Sequence, residues 1–169
     1  MLVSLKNIYL DIDGVILTRG GIPAQHLDKF LGYILDNYSV FWLTSRCQGD
    51  SKYTVNYLSQ FLLPDTVSLL EKIKPTSFRL DKTEAIDFYK GFFWLDDEIF
   101  ASEKNTLNEH NKFDSWIEIN LISNPNQLLN LINSKLKIFS ETKPAKEVKK
   151  IDSKLKFPPS KQEYGKLSL

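Results

Sequence analysis

Tyr9-Leu10-Asp11-Ile12-Asp13-Gly14-Val15 decides the reading of this chain. A short apolar run over 8–10 ends in two aspartates spaced two apart, followed by a glycine. The run reads as a buried strand. Nothing in a buried strand calls for two carboxylates at its carboxyl end. In open α/β sheets that end is where ligands bind. Two like charges this close repel by about 4 kcal/mol at about 4 Å with an effective dielectric of ~20. A fold keeps such a pair when a cation neutralises it or a function needs it.

Outward from that strand, apolar runs and helical periodicities alternate. Gly20-Gly21 sets a tight hairpin or loop over 17–22. Pro23 fits the first turn of a helix over 23–36, with Leu27, Phe30, Leu31, Ile34 and Leu35 at helical spacing. A second buried strand over 39–43 ends at Thr44-Ser45. A helix over 51–61 follows, with Tyr53, Tyr57, Leu58 and Phe61 on one face, until Pro64-Asp65 breaks it. A third strand is expected over 66–70, then an irregular link over 75–80. Asp81 caps a short helix beginning near Lys82. The fourth strand, 91–95, runs into Asp96-Asp97. A helix over 99–109, a fifth strand over 115–119 and a last helix over 124–136 complete the series. Leu128, Leu129, Leu131 and Ile132 form the core face of that helix. Strands alternating with helices over short links predict an α/β fold. The expected form is a doubly wound, Rossmann-like parallel sheet of about five strands with helices on both faces.

The chain has 169 residues, which suggests one domain, over 1–139, with an appended tail. The tail, 140–169, carries eight Lys and four acids, a net +4, and the remainder is slightly acidic at −3. Bulk charge therefore does not suggest a nucleic-acid binder. Val148, Ile151 and Leu155 form one weak amphipathic stripe in the tail, which reads as a loosely docked extension or a basic arm for an acidic partner. A single Cys47 excludes an internal disulfide and fits a reducing cytosol. The start shows no secretory signal pattern, and no apolar stretch approaches about 20 residues. A cytoplasmic protein that does not use the membrane is expected.

Three strands end in polar residues: Asp11 and Asp13, Thr44 and Ser45, Asp96 and Asp97. Parallel strands bring those ends to one edge, which Lys82 can also reach. The set suits phosphoryl transfer. A phosphate ester repels an attacking carboxylate, and a divalent cation held by oxygen ligands offsets that repulsion. Asp11 reads as nucleophile through an aspartyl-phosphate. Asp13 reads as the acid that protonates the leaving oxygen and later activates water. Thr44 and Lys82 hold the phosphoryl group. Arg46 can grip a substrate phosphate bidentately, with a plain surface role as the alternative. Asp97, with Asp96 behind it, completes a Mg²⁺ site.

These residues resemble the haloacid dehalogenase (HAD) superfamily. Asp11-Ile12-Asp13-Gly14-Val15 is similar to its first motif, Phe41-Trp42-Leu43-Thr44-Ser45 to its second, Lys82 to its lysine, and Trp94-Leu95-Asp96-Asp97 to its acidic fourth. Order and spacing match over about residues 5–136. The resemblance implies a phosphatase with Mg²⁺ as cofactor. It assigns Asp11 as nucleophile and metal ligand and Asp13 as acid/base, ligating metal through its backbone carbonyl. It also implies that the second of two paired acids, Asp97, is the direct ligand. Asp13 disfavours a dehalogenase, since those members lack the second aspartate. The 30 residues between Asp13 and Thr44 and the 37 between Thr44 and Lys82 leave no room for a cap domain. By analogy, an uncapped site implies a bulky phosphorylated substrate, whether nucleic-acid end or phosphoprotein, with a small molecule still open.

Plainer readings stand beside these. Lys72 and Lys74 are rival phosphate binders to Lys82. Arg19 reads as a surface residue of the flap. Cys47 lacks a matching context from His26 or His110 and reads as small and half-buried. Trp42, Trp94 and Trp116 read as core. A receiver-type signalling domain would place its acceptor aspartate after a middle strand, where this chain has Glu71. A non-catalytic module that binds a partner through the tail is the remaining alternative.

Overall fold

The computed structural model describes residues 5–140. The expected tail, apart from Ser140, lies outside them, as does its amphipathic stripe. Strands β1 (Asn7–Leu10), β2 (Ser39–Trp42), β3 (Phe92–Asp96) and β4 (Trp116–Glu118) form one parallel sheet in the order β2-β1-β3-β4. Leu10 sits opposite Trp42 on one side and Leu95 on the other, and Leu95 sits opposite Ile117. All four residues of β1 and all five of β3 are buried. That is why these segments read as unbroken apolar runs rather than alternating ones.

Helix α1 (Leu27–Asn37) links β1 to β2, and α4 (Ala101–Glu109) links β3 to β4. The first crossover moves outward from β1, the second outward from β3 in the opposite direction. Right-handed crossovers in opposite directions place their helices on opposite faces. The core divides accordingly. One face packs Ile8, Leu10, Val40, Trp42, Phe93 and Leu95 against Phe30, Leu31 and Ile34 of α1 and Leu128 and Leu131 further on. The other packs Tyr9, Leu43, Phe92 and Trp94 against Ile86, Ile99 and Leu107. The fold is thus Rossmann-like α/β, and the strand order reverses between β1 and β3. The crevice at their carboxyl ends is the place where such sheets bind ligands.

The expected third strand over 66–70 is a helix, α3 (Pro64–Leu70). Pro64 stands in its first turn, where a missing N–H costs nothing. Thr66 and Leu70, four apart, are the buried pair. The apolar run was short enough to fit either period, and proline starts a helix as readily as it ends one. A single further bridge lies just beyond α3. The Lys74 N–H donates to the Val40 carbonyl (3.0 Å) and the Trp42 N–H to the Lys74 carbonyl (2.9 Å). This one-residue parallel bridge edges β2. Among the described residues the sheet therefore has four strands, not the five expected.

Other boundaries shift. The helix expected from Pro23 begins at Leu27, because residues 17–23 form a hairpin closed by a bridge between Leu17 and Pro23. His26, in a left-handed conformation, stands at its N-cap. Helix α2 spans Ser51–Leu58 and is capped by Asp50, whose side chain accepts from the Lys52 N–H at 2.9 Å. The last helix divides into α5 (Gln127–Asn133) and α6 (Lys135–Ser140) at Ser134. Leu58 of α2 and Leu70 of α3 are buried in the core of the α1 face, so this segment packs against the sheet unit. Among the described residues no helix is long and apolar enough to cross a membrane.

Leu70 is fully buried while Leu63, one residue before α3, is largely exposed. Leu70→Ala is expected to cost about 2–5 kcal/mol, and Leu63→Ala within about 0.5 kcal/mol of nothing, in urea unfolding. Equal effects would contradict the helical packing of this segment.

Candidate active site

The sheet ladder continues past the ends of the strands. The Asp11 N–H donates to the Leu95 carbonyl (3.1 Å), the Leu43 N–H to the Leu10 carbonyl (2.7 Å) and the Ile119 N–H to the Asp96 carbonyl (3.0 Å). Asp11, Thr44 and Asp96 are thereby held at one edge by backbone bonds rather than by mobile loops. Among them Asp11 and Asp96 lie on neighbouring strands.

Lys82 joins these two acids. Its Nζ lies 3.1 Å from Asp11 Oδ2 and 2.6 Å from Asp96 Oδ2. The 3₁₀ turn Lys82–Ala85 places it. Glu84 anchors that turn by accepting from the N–H groups of Arg79, Leu80 and Asp81. Glu103, buried in α4, accepts from the Lys82 N–H at 2.9 Å and from the Phe100 N–H at 2.8 Å. One carboxylate thus ties the lysine's backbone to the loop after β3. Burial alone would lower the Lys82 pKa, but Asp11 and Asp96 outweigh it and hold it above the ordinary value. The ammonium is the form present at neutral pH.

Asp96 is 1% exposed. Besides Lys82, its Oδ2 accepts from Trp94 Nε1 (3.0 Å) and its Oδ1 from the Glu98 N–H (3.2 Å). Burial, followed by repulsion from Asp11, pushes its pKa up to about 7. Asp97 differs. Its carboxylate makes one such contact, to Arg19 Nε at 2.8 Å, and Arg19 Nη2 reaches Glu98 Oε2 at 3.1 Å. Arg19, read from sequence as a surface residue, is the counter-ion of Asp97. The chain's own donors engage both oxygens of Asp96 and leave Asp97 the freer carboxylate.

One oxygen from each of Asp11, Asp96 and Asp97 lies within 4.8 Å of the others. An all-oxygen donor set of this kind fits a hard divalent cation. Three carboxylates against two cationic side chains also leave negative charge for such an ion to offset. Gly14 packs directly on this cluster. It has φ +83°, and a Cβ there would lie 2.3 Å from Asp97 Cγ. Only glycine lets the loop after Asp13 approach so closely.

Asp13 stands outside the cluster. Its carboxylate is exposed and 3.3 Å from Arg46 Nη2. Thr44 is buried at the end of β2, and its Oγ1 accepts from the Arg46 N–H at 3.4 Å. Ser45 is exposed in the same turn. Cys47 is fully buried rather than half-buried, with its N–H on the Thr44 carbonyl. Lys72 and Lys74 are exposed, and the Lys74 ammonium lies over the Phe41 ring rather than at the acids.

Comparison with protein-family models, with curated proteins and with solved structures returned no match. The site therefore rests on its own geometry. That geometry gathers Asp11, Thr44, Lys82, Asp96 and Asp97 at one edge, and joins Asp13 to Arg46 beside them. Sequence reasoning missed Glu103, the Arg19–Asp97 pair and the constraint on Gly14. Glu103, at the third position of α4, was the most findable, since acids there often accept from helix-start N–H groups.

Two outcomes are expected. Gly14→Ala destabilises the protein by about 1–3 kcal/mol through strain at positive φ and displacement of Asp97. It also removes any shift in melting temperature produced by Mg²⁺. Second, the metal-free protein loses stability as pH rises. A folded-state pKa above the ordinary carboxyl value means Asp96 stabilises the fold fully at low pH and loses that contribution as pH passes about 7. Melting temperatures in chelator should fall between about pH 4 and 7. Asp96→Asn should flatten the slope.

Proposed function

We propose that this chain is a Mg²⁺-dependent phosphatase of the HAD type, acting on phosphoric monoesters through an aspartyl-phosphate at Asp11. The observation that carries the reading is the Lys82 ammonium shared between Asp11 and Asp96 at the switch point of the sheet. A carboxylate there is buried, oriented by the strand ladder and neutralised on one side only.

In this reading the Asp11 carboxylate attacks phosphorus and the ester oxygen leaves. Lys82 keeps positive charge next to Asp11, where the transferring oxygens gain negative charge. Thr44 offers its hydroxyl hydrogen to the same group. Asp13, exposed and outside the acid cluster, gives a proton to the leaving oxygen and then takes one from the water that hydrolyses the acyl phosphate. Asp96 holds Lys82 in place. Asp11 and Asp97, with the backbone carbonyl of Asp13, would hold the Mg²⁺, which supplies charge neutralisation for the phosphoryl oxygens.

Support for a phosphatase over a passive binding module comes from the division of labour between the two aspartates. Asp11 is buried and faces an ammonium, whereas Asp13 is exposed and free of the cluster. A nucleophile and an acid/base need those different settings. The packing of α2 and α3 into the core supports an open site edge. Cytoplasmic placement belongs to the same reading, as does a bulky phosphorylated substrate.

Hydrolysis of an aryl phosphate with and without Mg²⁺ tests the proposal. Chelation should abolish turnover, and Asp11→Asn should lower kcat by about 10³-fold or more. Asp13→Asn should cost about 10²–10⁴-fold when the leaving group is a poor one. Lys82→Met should cost about 10²–10³-fold. Full activity in Asp11→Asn would overturn the assignment.

A further inference from the structure

Arg46 occupies a particular place. Its Nη2 reaches Asp13 Oδ2 at 3.3 Å, and its guanidinium carbon lies 3.9 Å from the centroid of the Tyr57 ring. Stacking on α2 fixes the plane of the fork, so less freedom is lost when it binds. Its backbone N–H rests on Thr44 Oγ1, which ties the stem to the end of β2. The fork itself makes a single hydrogen bond among the described residues, to Asp13. The rest of its N–H donors have no acceptor among the described residues, and the side chain is partly exposed.

Position gives this meaning. Lys82 serves the cluster side of Asp11, where the phosphoryl group is transferred in the proposed reaction. Arg46 stands instead beside Asp13, the residue proposed to protonate the leaving oxygen. A planar, preorganised cation there meets the leaving group and not the phosphoryl group. Arginine in this setting pairs with phosphate or carboxylate oxygens in bidentate fashion. A neutral alcohol would leave the fork with Asp13 alone.

We infer that Arg46, held flat on Tyr57, is a specificity-determining residue that selects substrates whose leaving group carries a second anionic group close to the ester oxygen. A bisphosphorylated small molecule and the internucleotide phosphate of a 3′-phosphorylated oligonucleotide both present that chemistry. The inference rests on the phosphatase reading and specifies its substrate class.

The test compares three probes in Mg²⁺: a nucleoside 3′-monophosphate, the same nucleoside as its 3′,5′-bisphosphate, and a 3′-phosphorylated dinucleotide. Release of 3′-phosphate is followed in the full chain, in Arg46→Met and Arg46→Lys, and in Tyr57→Leu. The wild type should prefer the second anion by about tenfold or more in kcat/KM. Arg46→Met should bring that ratio to about one, Arg46→Lys should restore it only in part, and Tyr57→Leu should fall between. Preference for the dinucleotide over the bisphosphate identifies a nucleic-acid end as the source of the anion, and the reverse a small molecule. A wild-type ratio near one, or equal losses on all probes in Arg46→Met, overturns the inference. Calorimetric binding of the same probes separates it from the reaction. Arg46-dependent preference in binding without hydrolysis keeps the anion selectivity and overturns the phosphatase reading. Absence of both binding and hydrolysis for every probe overturns the inference.

Discussion

The ammonium of Lys82 between Asp11 and Asp96 is the interaction on which the site depends. Two adjacent parallel strands end in carboxylates at the same level, and their repulsion would otherwise oppose the pairing of β1 with β3. Lysine offsets it from one side. The protein invests heavily in placing that lysine. A turn is anchored by Glu84, a buried Glu103 holds the backbone N–H, and Trp94 and the Glu98 N–H fix the accepting carboxylate. The supports come from two stretches apart in sequence, 79–84 and 94–103, so the lysine is placed only when these pack together.

The supports also explain how two neighbouring acids can differ in role. Asp96 accepts three hydrogen bonds from protein donors and is deeply buried, whereas the Asp97 carboxylate pairs with Arg19 on the flap. The chain spends one acid on architecture and keeps the other for the cation it is proposed to bind. Gly14 and Arg19, both from the loop after β1, are the pieces that press on Asp97. The loop between β1 and α1 is therefore part of the acid centre and not a passive link.

Much of this was legible in the sequence. Strands buried on both faces announce themselves as apolar runs, and the polar residues at their ends converge because parallel strands share one carboxyl edge. Asp11, Thr44, Asp96 and Asp97 followed from that rule, and Lys82 from its place at the start of a short helical turn that can reach the same edge. Segment 66–70 did not, because five residues cannot distinguish a period of two from one of 3.6, and Pro64 signals either a stop or a start. Arg19 and Glu103 were hidden for another reason. Their partners are far away in sequence, and an isolated charge reads as solvated until tertiary structure supplies the other half. The stacking of Arg46 on Tyr57 belongs to the same class: both residues were noted, but their contact depends on how α2 leaves β2.

The central claim is that Asp11 is the residue that takes the phosphoryl group. The direct measurement is a rapid acid quench during turnover, followed by borohydride reduction and peptide mass spectrometry. Reduction converts a phosphoaspartate to homoserine. Homoserine at position 11, dependent on Mg²⁺ and on substrate, is the expected result. Phosphate release with position 11 unmodified, or with the modification on another aspartate, would contradict it.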